Sequence, residues 1–196
     1  DEFRATCADR HNPAATLTGA DQERWLLDGF AASQTRWDIL GQQVFFAGVD
    51  LSPGPEHGIN PDGWDGYTAN RDRIVAGLTT SPVRNAVVLT GDIHSHWAAT
   101  VHQSAGGPPI ATELVTSSIS SGGDGSDTRA DVEAILPENP HIRYFSNRRG
   151  YIRARVTPDA ITADFRTLPY VSTPGAPAQT GASFVIADRA PSLQKL

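Results

Sequence analysis

An uninterrupted apolar run in the middle of the chain constrains the fold more than any other feature of the sequence. The run, Ala86–Thr90, contains Val87, Val88 and Leu89 and no charged side chain. An apolar run of this length, bounded by polar residues, is typical of a strand that is buried on both faces. Such strands lie at the centre of sheets that are covered on both sides. The run therefore predicts a central sheet within a layered fold.

Helices are expected on at least one side of this sheet. Apolar spacing predicts helices over residues 21–33, 69–78 and 127–136. In the first helix, Trp25, Leu26 and Phe30 are expected to face the core. Thr68 is expected to cap the second helix. Residues 48–67, between the first two helices, form a long irregular stretch rich in Pro, Gly and Asp. Loops of this length are often functional.

Further strands are expected along the rest of the chain. Short apolar or alternating segments predict them at 37–40, 43–47, 97–102, 110–116, 142–145, 151–156 and 161–165, with an edge strand at 183–187. Helices and strands together indicate a layered α/β sandwich and not an all-β module.

Length and charge bound the kinds of function. The chain has 196 residues, 39% of them hydrophobic and 19% charged, which suits one sizeable domain. Its net charge of −6 argues against a nucleic-acid partner bound through a basic surface. A phosphate-bearing substrate is still compatible with this charge, because bound cations can supply the local positive charge. No run approaches the roughly 20 apolar residues that span a bilayer.

The N-terminal region suggests a fragment. The chain starts with DEFR and contains no methionine. We interpret it as a processed or internally cleaved fragment; the alternative is a mature, methionine-poor protein that has lost its leader. The single cysteine, Cys7, cannot form an internal disulfide, so we expect either a bond to an upstream portion of the protein or a free thiol.

The residues that follow the apolar run carry the clearest chemical signal. Gly91 permits an unusual turn, and Asp92 and His94 follow it two residues apart. In a near-extended backbone these two side chains would point the same way, beyond the carboxyl end of a strand. A carboxylate beside an imidazole suits Fe, Zn or Mn, and the oxygen can also hold Ca²⁺. The spacing alone supports equally well a loop-capping Asp92 and a buried His94 that is satisfied by protein groups.

The segment Gly91-Asp92-Ile93-His94 resembles the last metal motif of calcineurin-like metallophosphatases. That motif is usually Gly-His-x-His, and the PhoD-like branch has Asp in place of its first His. Other segments, in the same order, are similar to that branch: 22–27, 33–37, 42–44, 62–67 with 70–71, 112–120 and 147–151. The chain is therefore identified as a member of the PhoD-like metallophosphatases, a family that includes alkaline phosphatase D and a metal-dependent, streptomycete-type phospholipase D.

The resemblance implies a fold and a metal centre. The expected fold is the calcineurin-like β-sandwich flanked by helices, with residues 1–196 forming the C-terminal part of one catalytic domain. The implied centre contains Fe³⁺ and Ca²⁺, with Zn²⁺ or Mn²⁺ as other candidate metals. Asp92 would bind the Ca-type metal and His94 would bind near the iron. The remaining ligands would lie upstream, which makes an N-terminal fragment of the same enzyme the expected partner.

The implied activity is hydrolysis. A secreted hydrolase of this family would cleave phosphomonoesters or phosphodiesters with a metal-activated hydroxide, and its substrates would include phospholipids if it acted as a phospholipase D. In that case it would touch a membrane surface only transiently. The competing hypothesis is a non-catalytic extracellular module that binds calcium through its acidic loops.

Two further residues are candidates for catalysis. His96 could face the site and contact phosphate or the leaving group, although a surface histidine is the competing interpretation. Arg149 could also contact phosphate, or it could form a solvated pair with Arg148. Glu113 is expected to be either a partner of a metal-bound histidine or a buried structural carboxylate.

Loop residues complete the set. In the long loop, Trp64 is expected to pack, and Asp65 to cap the following turn or to belong to the site. In the Ser/Gly-rich loop, Asp124 and Asp127 resemble a weak Ca²⁺ site, but we expect them to cap the helix that follows.

Overall fold

A computed structural model describes residues 7–196 of the chain; the first residues, on which the fragment interpretation partly depends, lie outside this range. The described part contains three α-helices: α1 (Ala20–Ala31), α2 (Thr68–Thr80) and α3 (Ala130–Ile135). Short 3₁₀ turns occur at Ala8–His11, Trp64–Gly66 and Leu136–Glu138. Within residues 7–196, no helix has the length and apolar character needed to cross a bilayer.

The first sheet is mixed and has the order β1-β2-β4-β3-β5. Its strands are β1 (Asp38–Gly41), β2 (Ala86–Thr90), β3 (His96–His102), β4 (Pro109–Val115) and β5 (Ile142–Ser146). β1, β2 and β4 run parallel, whereas β3 and β5 pair antiparallel. The carboxyl ends of the three parallel strands therefore lie at one edge of this sheet.

The second sheet is an antiparallel meander with the order β6-β7-β8-β9. Its strands are β6 (Arg149–Val156), β7 (Ala160–Leu168), β8 (Gln179–Ala187) and β9 (Ala190–Lys195). Each strand pairs with the next along the chain, as in an antiparallel meander.

The two faces of the first sheet bury different partners. Val88 packs with Phe30 of α1 and Ile74 of α2, in a cluster on the helical side. Its neighbour Val87 packs with Phe165 of the second sheet. Successive residues of a strand point to opposite faces, so the apolar run places one valine in each layer. The predicted α/β sandwich is confirmed, with helices, a mixed sheet and an antiparallel sheet as its layers.

Several sequence predictions of local structure are wrong, each for a physical reason. Residues 43–47 do not form a strand, because the backbone N–H groups of Phe46 and Ala47 donate to Glu113 and not to a neighbouring strand. Trp25 is 71% exposed, because α1 turns its Leu26, Leu27 and Phe30 side to the core.

Other elements differ in extent or in the way they are held. Thr68 does not cap α2; its hydroxyl donates to the Arg10 carbonyl oxygen. The third helix is shorter than expected, because a 3₁₀ turn containing Pro137 follows it. The segment predicted as an edge strand is interior, since β8 pairs with β7 on one side and with the unpredicted β9 on the other.

Candidate metal centre

Asp92 and His94 lie directly beyond the carboxyl end of β2, where both are exposed. The expectation of a near-extended backbone is wrong: Asp92 has φ 66° and His94 has φ 53°. Left-handed backbone is uncommon outside glycine, although Asp and His adopt it more readily than most residues. Such conformations cluster at functional sites, where the surrounding structure holds them in place.

The surroundings of this segment hold it through backbone hydrogen bonds. The Gly91 N–H donates to the Gln43 carbonyl oxygen at 3.2 Å, and the Thr116 N–H donates to the Thr90 carbonyl oxygen at 2.8 Å. The hydroxyl of Ser117 then donates to the carbonyl oxygen of His94 at 3.1 Å. The segment after β2 is therefore tied both to the segment after β1 and to the residues that follow β4.

The imidazole of His94 has one polar neighbour on its Nδ1 side. Oγ of Ser121 lies 3.5 Å from Nδ1 of His94, a long contact in which either atom can be the donor. Ser121 belongs to the Ser/Gly-rich loop, residues 117–127, which follows β4. The same loop thus contacts His94 at its backbone and at its ring.

His96 lies beneath this segment and not on the surface. Its side chain is fully buried, so the surface interpretation is wrong. Nδ1 accepts a hydrogen bond from the Ser117 N–H at 3.1 Å, whereas Nε2 has no hydrogen-bond partner among residues 7–196. Burial, and next the positive charge of Arg149, lower the pKa of His96 to about 4. His96 is therefore neutral near pH 7, with its ring edge against Phe165 of the second sheet.

Arg149 is buried as well, so the interpretation as a solvated pair is wrong for it. Its side chain is 2% exposed, whereas Arg148 reaches outward and pairs with Asp127 at 2.9 Å. The Arg149 guanidinium donates to Oγ of Ser118 at 3.0 Å and to the carbonyl oxygen of Ser121 at 2.7 Å. It also donates to the Oδ1 and backbone oxygens of Asn147. Burial lowers the pKa of Arg149.

Glu113 is a buried structural carboxylate, as one of the two interpretations expected. It accepts hydrogen bonds from the backbone N–H of Phe46 at 2.9 Å, from that of Ala47 at 2.7 Å and from the Thr90 hydroxyl at 2.5 Å. Burial raises its pKa to about 7 against the opposing effect of these hydrogen bonds. Glu113 therefore fixes the segment after β1 against β2 and β4, next to the turn that carries Asp92.

The two candidate residues of the long loop, Trp64 and Asp65, make contacts with neighbouring protein groups. Packing of Trp64 is confirmed: its ring is 4% exposed and stands edge-on to Phe46. Asp65 caps no following turn; it accepts from the Val49 N–H at 2.9 Å and pairs with Arg71 at 2.7 Å. The long loop is thereby closed on itself.

The acidic residues of the Ser/Gly-rich loop do not cap α3, contrary to expectation. Asp124 accepts hydrogen bonds from the backbone N–H groups of Val171 and Ser172 and from the Ser172 hydroxyl. Asp127 is held by Arg148. Asp124 therefore connects the loop to the segment between β7 and β8, and Asp127 connects it to the residue that precedes β6.

A pocket of about 310 Å³ lies beside Asp92. Its walls are mainly apolar, and the long loop, the segment after β1 and α3 all contribute to them. The walls include Val44, Phe45, Trp97, Val132 and Ile135. The sequence pointed to the long loop, whose Trp64 and Asp65 line this pocket. It missed the other walls, because they come from the segment after β1, from β3 and from α3, which only the fold brings together. The length of the long loop was the one available signal.

The donors on this chain fit a metal but do not complete a site. Asp92 offers carboxylate oxygens and His94 an imidazole nitrogen, a set suited to iron, zinc, manganese or, through the oxygens, calcium. Both side chains are exposed, and Nε2 of His94 has no hydrogen-bond partner within residues 7–196. No group of three or more His, Cys, Asp or Glu residues in that range could hold a metal ion by itself. The described residues therefore do not form a complete metal site by themselves.

Comparison with known proteins agrees with the fold and with the family resemblance. The family model described as PhoD-like phosphatase matches residues 2–165. Alkaline phosphatase D of Bacillus subtilis (strain 168) is 41% identical over 191 residues, which cover 96% of this chain and 33% of that protein. A solved structure, "Structure of PhoD", matches with a TM-score of 0.94 and 40% identity, covering 100% of this chain and 38% of that one. This match confirms the expected calcineurin-like fold, and the chain spans about a third of the length of its curated relative.

Proposed function

Since the chain belongs to the PhoD-like phosphatase family, we propose that it forms one side of the active site of a secreted, metal-dependent phosphoesterase. The observation that carries the proposal is the position of Asp92 and His94. Both stand exposed, in left-handed backbone, beyond the carboxyl end of a parallel strand, in the segment that resembles the family's last metal motif.

The residues of this chain would act mainly by holding and orienting. Asp92 would bind a Ca²⁺-type ion and His94 would bind near Fe³⁺, with Zn²⁺ or Mn²⁺ as alternatives. When bound, such ions would neutralise phosphate oxygens and lower the pKa of a bound water to give hydroxide. His96 and Arg149 are buried beneath this surface, so their predicted contacts with phosphate stay predictions.

The neighbouring pocket supports an organic ester as substrate. Its mainly apolar walls, beside Asp92, would accommodate the alcohol part of a phosphomonoester or phosphodiester. A simple phosphatase and a phospholipase D would share the same core chemistry and would differ in this leaving group. Release of choline from phosphatidylcholine, measured against release of phosphate from a simple monoester, separates the two activities.

Other ligands of the metal centre would come from an N-terminal fragment of the same enzyme. The chain's own donors are too few for a complete centre among the described residues, and its curated relative is about three times as long. In that arrangement Cys7 is available to the upstream portion or is a free thiol. A membrane surface would be touched only transiently, and only by an enzyme that acts on phospholipids.

Metal content is the experiment that separates this proposal from a calcium-binding module. The acidic groups of the Ser/Gly-rich loop are already held by protein donors, which gives the module little support. The chain, purified together with its N-terminal portion, is analysed for metals and assayed on a phosphomonoester and a phosphodiester. Iron bound together with calcium, with hydrolysis, supports the enzyme. Calcium alone, without hydrolysis, contradicts it.

A further inference from the structure

Arg149 is a buried cation without an anionic partner among residues 7–196. Its guanidinium is 2% exposed, and its acceptors are the neutral oxygens of Ser118, Ser121 and Asn147. Nε of Arg149 has no partner in that range. Burying a charge without a counter-ion lowers the stability of the folded state. The hydrogen bonds of Arg149 must therefore offset this cost or contribute to function.

The Ser/Gly-rich loop is shaped to close over this guanidinium. A Cβ on Gly122 would lie 3.1 Å from an Arg149 nitrogen, and one on Gly125 would lie 1.9 Å from the carbonyl oxygen of Asn147. Both glycines also have positive φ, at 86° and 68°. A side chain at either position would force the loop away from Arg149. The glycines therefore allow the close approach on which the hydrogen bonds of Arg149 depend.

The loop transmits this restraint to His94. Arg149 holds the backbone oxygen of Ser121 at 2.7 Å, and Oγ of the same serine lies 3.5 Å from Nδ1 of His94. At the start of the loop, the Ser117 N–H donates to the buried His96, and the Ser117 hydroxyl donates to the His94 carbonyl oxygen. Ser121 therefore contacts the ring of His94 and is held by Arg149, whereas Ser117 contacts the backbone of His94 and is held by His96.

We propose that Arg149 is a positioning residue that fixes Ser121, and that Ser121 accepts a hydrogen bond from Nδ1–H of His94 and so leaves Nε2 as the nitrogen that binds the metal. The inference rests on the proposed function only in taking His94 as a ligand. Histidine ligands commonly donate their second ring N–H to a fixed acceptor, which sets the tautomer and the ring orientation. Arg149 suits this task because its planar guanidinium reaches several acceptors at once.

The first test measures metal affinity and kinetics in Arg149→Lys, Arg149→Gln and Ser121→Ala. Mn²⁺ is titrated into the metal-free protein that includes its N-terminal portion, and kcat and KM are measured on a phosphomonoester. We expect each variant to bind Mn²⁺ about 10–100-fold more weakly and to lose kcat more than it raises KM. Lysine should not rescue the function, because it cannot reproduce the planar set of donors. Ser121 is exposed, so its variant stays informative even where an Arg149 variant folds poorly.

The matched control is Arg153→Gln. Arg153 lies on the same strand as Arg149, is exposed and pairs with Asp164 at 2.6 Å. This variant should keep the Mn²⁺ affinity and kcat of the unmodified protein. If the Arg149 and Ser121 variants lose thermal stability but their folded fraction binds Mn²⁺ with unchanged affinity, Arg149 is merely structural and the proposal is overturned.

The second test reads the two ring nitrogens of His94 directly. Nitrogen-15 NMR of the zinc-loaded protein should show Nε2 bound to the metal and Nδ1 protonated, and Ser121→Ala should broaden or shift these signals. Metal on Nδ1, or no metal bound to the unmodified protein, overturns the proposal. Neither this readout nor Mn²⁺ affinity needs turnover, so absence of hydrolysis would count against the proposed function alone.

Discussion

The two sheets of this protein bury different kinds of residue. The second sheet buries an almost purely apolar set that includes Ile161, Phe165 and Phe184. The first sheet and the segments that leave it also bury Thr90, His96, Glu113 and other polar groups. Within residues 7–196, Arg149 is the buried polar residue of the second sheet, and it lies at the end that touches the Ser/Gly-rich loop.

This difference indicates where the molecule accepts an energetic cost for function. Buried polar groups lower stability unless they are fully hydrogen-bonded, and buried apolar side chains raise it. Several of these polar groups, including Thr90, His96 and Ser117, lie next to the carboxyl ends of β2 and β4, near Asp92 and His94. The meander contains few such groups because it serves as the support on which the first sheet packs. We therefore expect mutations in the two sheets to have different consequences.

The largest effect is expected from the motif at the end of β2. Asp92→Asn and His94→Ala should each lower kcat/KM by at least ~10³-fold, because metal-ion catalysis contributes several kcal/mol. The bound metal should fall in parallel, while the circular dichroism spectrum stays that of the unmodified protein. Asp28→Asn, on the exposed side of α1, is the control. Full activity and full metal content in both variants would contradict the assignment of Asp92 and His94 as metal ligands.

A core mutation in the meander should have the opposite pattern. Phe184 is 1% exposed and packs against Phe165 and Tyr144. Phe184→Ala should lower the free energy of unfolding by about 3–5 kcal/mol through lost burial and a residual cavity. Urea unfolding measures this loss, and kcat/KM per folded molecule should stay unchanged. A specific loss of metal affinity in the folded variant would show that the meander does more than support.

Glu113 should give a smaller effect that depends on pH. Burial raises its pKa to about 7 from an ordinary value near 4.5, so the folded state binds a proton that the unfolded state releases between these values. The contribution of Glu113 to stability is therefore greatest below pH 4.5 and falls as the pH rises to about 7, by on the order of 1–3 kcal/mol.

The Glu113→Gln variant isolates this contribution, because other titrating groups cancel when it is compared with the unmodified protein. The difference in unfolding free energy between the two should change across pH 5–7, with the unmodified protein losing stability relative to the variant. Urea unfolding at several pH values measures it. A pH-independent difference would mean that the carboxyl of Glu113 titrates alike in the folded and unfolded states.

The smallest effect is expected on the outer face of the meander. Arg153→Gln removes an exposed ion pair with Asp164 and should leave the midpoint of thermal unfolding almost unchanged, because water and salt screen exposed charges. Thermal unfolding at low and at high salt checks this expectation. A clear drop of the midpoint at both salt concentrations would show that this face contributes to stability, and the difference expected between the two sheets would then be smaller.

The sequence by itself determined the layered fold and the position of the motif. The apolar run of β2 can be satisfied only between two covered faces, and a polar motif after such a strand must lie at the edge of the sheet. Local pattern therefore located Asp92 and His94, because strand burial and the glycine that ends the strand are properties of a few neighbouring residues.

Only the tertiary structure decided how these residues are held. The left-handed backbone of the motif, the buried position of Arg149 and the pocket beside Asp92 depend on segments far apart in the chain. Glu113, on β4, likewise prevents strand formation at residues 43–47, because its carboxylate accepts hydrogen bonds from the backbone N–H groups of Phe46 and Ala47. Long-range hydrogen bonds of this kind override local propensity, and a linear pattern of residue types contains no record of them.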